Sequence, residues 1–194
     1  MSLSIGVKNF IEKNIELLDR EDYQEFDDRA GMQTSENGYS KSELYEVLLK
    51  AGINPLPYLP YVPYAFLRNT DITGSFTIPG NCEEIGSRSF YECSLSEIVI
   101  EEGVRSISSL AFARSRNLKK VYFPKSLMHL DNILFMGCSA LEEIIYPGTY
   151  EEFKNIHSNS NNAKHPWFGP ITTLAATNCI LKCKDQDISL RIDL

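Results

Sequence analysis

The chain carries five cysteines, three histidines and several close carboxylates, the residue types from which nucleophilic or metal chemistry is built. A nucleophile needs a positioned base to activate it. Cysteines and serines are available, and His129, His157 and His165 could act as bases, but no elbow or motif surrounds any of them. Glu151, Glu152 and His157 lie close in sequence, and a surface helix accounts for them equally well. Cys179 and Cys183 are four apart, on one face if the segment is a strand. Zinc would need two further ligands at suitable spacing, and none follows. No glycine-rich phosphate loop occurs. The expectation is therefore no catalytic residue, no cofactor and no metal. The odd number of cysteines, in a chain long enough to form a core, favours reduced thiols over a disulfide framework.

What positions the cysteines is a repeat. Phe66, Phe90, Phe112 and Phe135 recur at intervals of 24, 22 and 23 residues. The strand-like positions Ile78, Ile100, Phe123 and Tyr146 recur at 22, 23 and 23. A period of this length marks a solenoid. Each unit holds a strand of form L-x-x-I-x-I, apolar at alternate positions, which pairs with the same strand of the next unit. A short apolar pair and a bulky aromatic follow. Cys93 and Cys138 share one slot with Asn69 and Ser115, which reads as a small buried position with a weak hydrogen-bonding role. Cys82 takes the slot of Val104 and Leu127 and acts as a small hydrophobe.

Written out, the units run Leu95-Ser-Glu-Ile98-Val-Ile100, Leu118-Lys-Lys-Val121-Tyr-Phe123-Pro124 and Leu141-Glu-Glu-Ile144-Ile-Tyr146-Pro147, with Ile85-Gly86 and Phe90-x-x-Cys93 before the first and Ala111-Phe112 and Phe135-x-x-Cys138 between them. This pattern resembles the BspA-like (Treponema-type) leucine-rich repeats over about residues 62–156. Tyr150-Glu-Glu-Phe153, Trp167 and Cys179-x-x-x-Cys183 are similar to that family's closing segment. The resemblance implies a curved β-solenoid that binds other proteins or surfaces, and many such relatives are secreted or surface-bound. Ala51-Gly52-Ile53-x-Pro55-Leu56 is also similar to small leucine-rich repeat proteins of tailed phages.

The expected fold is α+β: a short β-solenoid of about four leucine-rich repeats over residues 62–156, a helical cap at 1–61 and a closing segment at 157–194. In the head, Val7, Phe10, Ile11, Ile15 and Leu18 form one helical face, and a second helix follows Asp19. Ser40 to Glu43 reads as a capping box. Leu44, Val47, Leu48 and Ala51 then face one way, and Gly52 ends that helix. Such a head would seal the open end of a solenoid. Four prolines between Pro55 and Pro63 bar a long helix, although Asn54-Pro55 could start a single turn.

At 194 residues, 43% apolar and 23% charged, the composition is that of an ordinary globular domain. No apolar run approaches the roughly 18 residues of a membrane span. Neither a signal peptide nor a membrane association is expected, and the cytosol is the expected location. The net charge is −7. Residues 1–61 hold 11 acidic and 6 basic residues, the remainder 15 and 13. The excess at residues 16–28 reads as a solvated helical face or as an acidic patch that mimics nucleic-acid phosphates. Direct nucleic-acid binding is not expected, because it needs a basic footprint. Arg88, Arg105, Arg114, Arg116, Lys119, Lys120 and Lys125 suggest a basic stripe, which could draw copies of the chain together.

The outward positions of the repeated strand are the candidate binding face. Their central column is Thr77, Val99, Tyr122 and Ile145, flanked by Glu97, Lys119, Lys120, Glu142 and Glu143. An apolar centre with a charged rim suits a protein interface, while β-branched residues are also simply good strand formers. The expected function is a non-enzymatic protein-binding module, with a phage-encoded blocker of a host factor as its specific version. The alternatives are a charge decoy or DNA mimic in the acidic head, and surface adhesion if the chain is exported.

Overall fold

The alternating apolar strand and its 22- to 24-residue spacing produce two parallel sheets wound from one chain. In the computed structural model, residues 41–131, 133–158 and 179–190 are described. Short strands β1 (Tyr61–Val62), β3 (Glu84–Ile85), β5 (Ser106–Ile107), β7 (His129–Leu130) and β9 (His157–Ser158) pair in that order in one parallel sheet. Longer strands β2 (Gly74–Ile78), β4 (Leu95–Ile100), β6 (Lys120–Tyr122), β8 (Glu143–Ile145) and β10 (Ile180–Lys182) form the second parallel sheet. It is closed by antiparallel β11 (Asp187–Ser189). Each turn of chain thus adds one rung to both sheets. The buried members of L-x-x-I-x-I, such as Leu95, Ile98 and Ile100, face the gap between the sheets.

Aromatic rings fill that gap as a continuous spine. Phe90 stacks on Phe112 at 5.7 Å and Phe112 on Phe135 at 5.3 Å, between ring centroids. Phe66 meets Phe90 edge-on at 5.9 Å. At the far end Phe123 lies parallel to Phe153, which meets the Tyr146 ring edge-on. These phenylalanines are fully or almost fully buried. A repeated aromatic at one slot therefore makes every turn pack on the next with the same side chain.

The first phenylalanine is out of step. Val62, Ile85, Ile107 and Leu130 are directly paired rungs. Counting four residues on from each places Phe66 level with Ser89, Ala111 and Leu134, and Leu67 level with Phe90. The Leu67 amide accordingly donates to the Ser89 carbonyl, as the Phe90 amide donates to that of Ala111. The interval of 24 is thus a one-residue slip of side-chain identity along an unbroken backbone register. The cysteine slot is corrected by the same shift. Asn69 is exposed, and buried Thr70 occupies the slot, its hydroxyl donating to the Leu67 carbonyl at 3.0 Å. Ser115 donates likewise to Phe90 O at 2.6 Å and the Cys138 thiol to Phe112 O at 3.0 Å.

Helix α1 (Lys41–Lys50) covers the first turn. It ends at Gly52 with φ +77°, where the Gly52 amide donates to Leu49 O and the Ile53 amide to Leu48 O, the paired bonds that finish a helix with a left-handed residue. Its buried face differs from the expected one. Val47 and Ala51 are exposed, and the core contact runs through Tyr45, Leu48 and Leu49. Tyr45 wins because its ring lands 4.6 Å from Phe66, the first ring of the aromatic spine, which it covers. The expected capping residue Ser40 and the two earlier helices lie outside the described residues. A 3-10 turn, Leu56–Tyr58, follows Pro55, and Asn54 Oδ1 accepts the Leu56 amide at 3.0 Å. The Pro-rich connector then becomes the first rung, since Tyr61 pairs with Glu84.

Helix α2 (Tyr150–Lys154) closes the other side of the spine. Thr149 and Glu152 cap it reciprocally, and Phe153 is buried beneath it. Glu151 and Glu152 belong to this helix, whereas His157 opens β9. The histidine is therefore on a different element from the two glutamates, and Glu151 and Glu152 are engaged with Lys154 and Lys125 respectively.

Two positions per turn adopt left-handed backbone: Ala65, Arg88, Leu110 and Ile133 in one column, and Asn69, Glu92, Arg114 and Gly137 in the other. A β-branched residue such as Ile133, at φ 62°, is strained there. Ile133→Gly is expected to stabilise the protein by about 1 kcal/mol, visible as a rise in thermal midpoint of about 2–4 °C. A fall would show that the half-exposed isoleucine makes contacts worth more than its strain.

Candidate interaction surface

The outer face of the six-stranded sheet carries the sequence-derived candidates on adjacent rungs. Thr77 pairs with Val99, Val99 with Tyr122, and Tyr122 with Ile145. Lys182 of β10 extends the same column beyond Ile145. Thr77 is exposed, while Val99, Tyr122 and Ile145 are half-buried, because neighbours about 4.8 Å apart shield one another. The flanking column runs Ser75, Glu97, Lys120, Glu143 and Ile180. Lys119 and Glu142 stand exposed at the entry to their strands.

The rim is an ordered charge ladder. Glu143 receives Lys182 at 2.5 Å and Lys120 at 3.0 Å. Hydrogen bonds from Lys182 and then Lys120 hold its carboxyl below the usual carboxylate range. The same contact raises Lys120. Ser75 donates to Glu97 at 3.0 Å. Such a line of fixed charges beside apolar side chains can select a partner of matching charge pattern. Lys182 lies 39 residues from Glu143, and no local pattern in the sequence signals that it completes this ladder.

Four of the five cysteines have thiols shifted further towards the protonated form. Burial pushes the Cys82 and Cys138 thiols up to about 12 and Cys183 to about 11, the last aided by Asp185 and Asp187. Burial also raises Cys93, against an opposing contact with Ser115. A thiol held protonated at neutral pH is a poor nucleophile and metal ligand. Cys82 fills the hydrophobic slot and rests 3.4 Å from the carbonyls of Leu56 and Leu59. Cys179 and Cys183 flank β10, one buried in the core and the other packed against it. Among the described residues, no group of three or more His, Cys, Asp or Glu side chains is placed to hold a metal. None of the described helices is long and apolar enough to cross a membrane.

The basic residues do not form one stripe. Lys119 and Lys120 lie on the strand face, Arg88 and Arg114 at the left-handed corner, and Lys125 at the turn after β6. Arg105 pairs with Glu83, Arg114 with Glu92 and Lys125 with Glu152, so much of the positive charge is locally balanced. The acidic stretch 16–28 lies outside the described residues.

Two stacked parallel sheets and one aromatic spine define a leucine-rich repeat solenoid, a class of protein-interaction scaffold. The chain belongs to the BspA type leucine rich repeat family, whose pattern it matches in six copies over residues 62–184. Repeats of this kind generally mediate protein–protein interaction and are typically non-enzymatic. The match passes the four units ending near residue 156 that the L-x-x-I-x-I pattern makes visible. β9 and β10 extend both parallel sheets there without a legible copy of that pattern. No curated protein and no solved structure is significantly similar to the chain.

Proposed function

We propose that the protein binds a partner protein through the outer face of its six-stranded sheet. The single observation that carries this reading is the in-register line of Val99, Tyr122 and Ile145, bordered by the Lys120–Glu143–Lys182 ladder. Half-buried apolar side chains in one line lose their remaining water on docking, and the charges beside them set register and partner choice. Tyr122 is the natural anchor, since tyrosine is enriched among residues that dominate binding.

A narrower version is a phage-encoded blocker of a host factor, acting in the cytosol of the infected cell. The similarity of the 51–56 segment to small phage repeat proteins supports it. The charge-decoy reading rests on residues 16–28 and the adhesion reading on export. Neither gains support from the strand face.

The test is a quantitative affinity capture from bacterial lysate, comparing wild type with Val99→Glu/Tyr122→Glu/Ile145→Glu. The triple variant should lose a partner that wild type retains, while circular dichroism shows both folded. Identical partner sets would refute the strand face. Retention by a Tyr122→Phe control would assign the contact to ring area and not to the hydroxyl.

A further inference from the structure

A second surface lies at the left-handed corner, away from the strand face. There the guanidinium carbons of Arg68, Arg88 and Arg114 stand 5.5, 5.7 and 5.9 Å from the centroid of one ring, that of Tyr91. Cations at this distance are attracted by the ring quadrupole. The backbone brings them together. Asn69 N–H donates to Tyr91 O, Glu92 N–H to Ala113 O and Arg114 N–H to Met136 O, so the corner residues of successive turns are stacked. The columns Ala65–Arg88–Leu110–Ile133, Arg68–Tyr91–Ala113–Met136 and Asn69–Glu92–Arg114–Gly137 contain three arginines and a single carboxylate, a local charge of +2 on a chain of −7. That carboxylate, Glu92, pairs with Arg114 at 2.9 Å. The Nε and Nη1 of Arg68 are shielded from water and have no hydrogen-bond partner among the described residues. Guanidinium groups that outnumber the carboxylates of these columns favour an acidic partner, whose carboxylate oxygens match the guanidinium fork.

We infer that this corner is a second docking surface, and that it takes an extended acidic segment of a partner protein. The rest of the corner favours a protein over a nucleic acid. Ile133 and Met136 are 48% and 41% exposed, and half-buried Leu110 links them to the arginine end. An acidic-apolar peptide would use both ends. A phosphate backbone would use only the arginines, and two net charges are too few for the counterion release that drives nucleic-acid binding. Tyrosine and arginine are also the residues enriched where binding energy concentrates. The surface is separate from the Val99–Tyr122–Ile145 column and does not depend on it.

The test uses fluorescence anisotropy with a labelled synthetic peptide of alternating glutamate and leucine, titrated with the full chain at low and physiological salt. A lysine-leucine peptide and a short single-stranded DNA serve as comparators. Saturable binding of the acidic peptide alone is expected, weakened at least about tenfold by Arg88→Glu/Arg114→Glu. Met136→Ser should weaken it by about threefold or more, which a purely ionic contact would not show. The milder Arg88→Gln/Arg114→Gln pair, checked by circular dichroism, keeps the experiment decisive if charge reversal unfolds the protein. The inference is overturned if wild type shows no saturable binding, if the glutamine pair binds as wild type does, or if the DNA binds as tightly as the acidic peptide. Tyr122→Glu should leave peptide binding unchanged. Its loss in that variant would also overturn the inference, whereas failure of the corner leaves the strand-face reading standing.

Discussion

Phe112→Ala is expected to destabilise the protein by about 3–5 kcal/mol, measured as a loss in the free energy of urea unfolding. Phe112 is fully buried and lies in the middle of the spine, stacked on Phe90 on one side and Phe135 on the other, with interplanar angles of 22° and 12°. Removing the ring leaves a cavity that rigid sheets on two sides cannot close. It also deletes two aromatic contacts, each worth about 0.5–1.5 kcal/mol beyond burial. Position makes the loss worse. In a solenoid each turn is held mainly by its neighbours, so the central ring couples the turns that Tyr45 seals to those that Phe153 seals. Against a total stability of about 5–15 kcal/mol, such a loss removes a large share. Phe112→Leu, which keeps most of the volume, should cost less than half as much. A loss below about 1.5 kcal/mol for alanine would mean that the turns are held by their backbone ladders, with the spine as filler.

The parts of this fold that follow from period-2 alternation were legible in the sequence. Ile98 in and Val99 out, Val121 in and Tyr122 out, Ile144 in and Ile145 out: each pair is settled by the strand pleat alone, and the burial of these residues agrees. The phenylalanine interval was less faithful. Phe66 seemed to begin the series, but side-chain type is a proxy for register, and at the first turn the large ring stands one residue early, where Tyr45 can cover it. That same slip displaced the cysteine slot from Thr70 to Asn69. For α1, hydrophobicity favoured Val47, whereas the contact is set by where the solenoid leaves a ring to cover. The turn beyond residue 156 was hidden because β9 and β10 add one backbone rung to each parallel sheet with few of the marker side chains. The strand column of the candidate site was visible for the same reason as the core. Its Lys182 bracket and the arginine corner were not, since both arise from stacking between turns and from left-handed backbone at residues that ordinarily avoid it.

Stacking between turns is tested most directly at Gly103. Gly103→Ala is expected to cost about 3–5 kcal/mol, combining strain at left-handed backbone with an overpacked contact. Gly103 has φ +116°, and a Cβ there would stand 2.2 Å from the carbonyl oxygen of Gly80 in the preceding turn. A Cβ on Gly80 would in turn meet Glu102 O at 1.9 Å, so the two turns touch through backbone alone at this corner. One turn later side chains do the same work. Ser126 Oγ accepts the Gly103 amide at 2.9 Å, and the Glu102 carboxylate accepts the amides of Lys125 and Ser126. Neither obstacle at Gly103 is a flexible side chain that could swing away, so an added methyl must push the turns apart. Gly52→Ala provides the comparison. It too has positive φ, at +77°, but nothing lies within 4 Å of its Cβ position. Its expected cost is therefore the conformational strain alone, about 1 kcal/mol. The difference between the two losses measures the backbone contact between turns. If the two variants lose equally, the turns yield at this corner, and their spacing is set by the aromatic spine and not by the glycine pair.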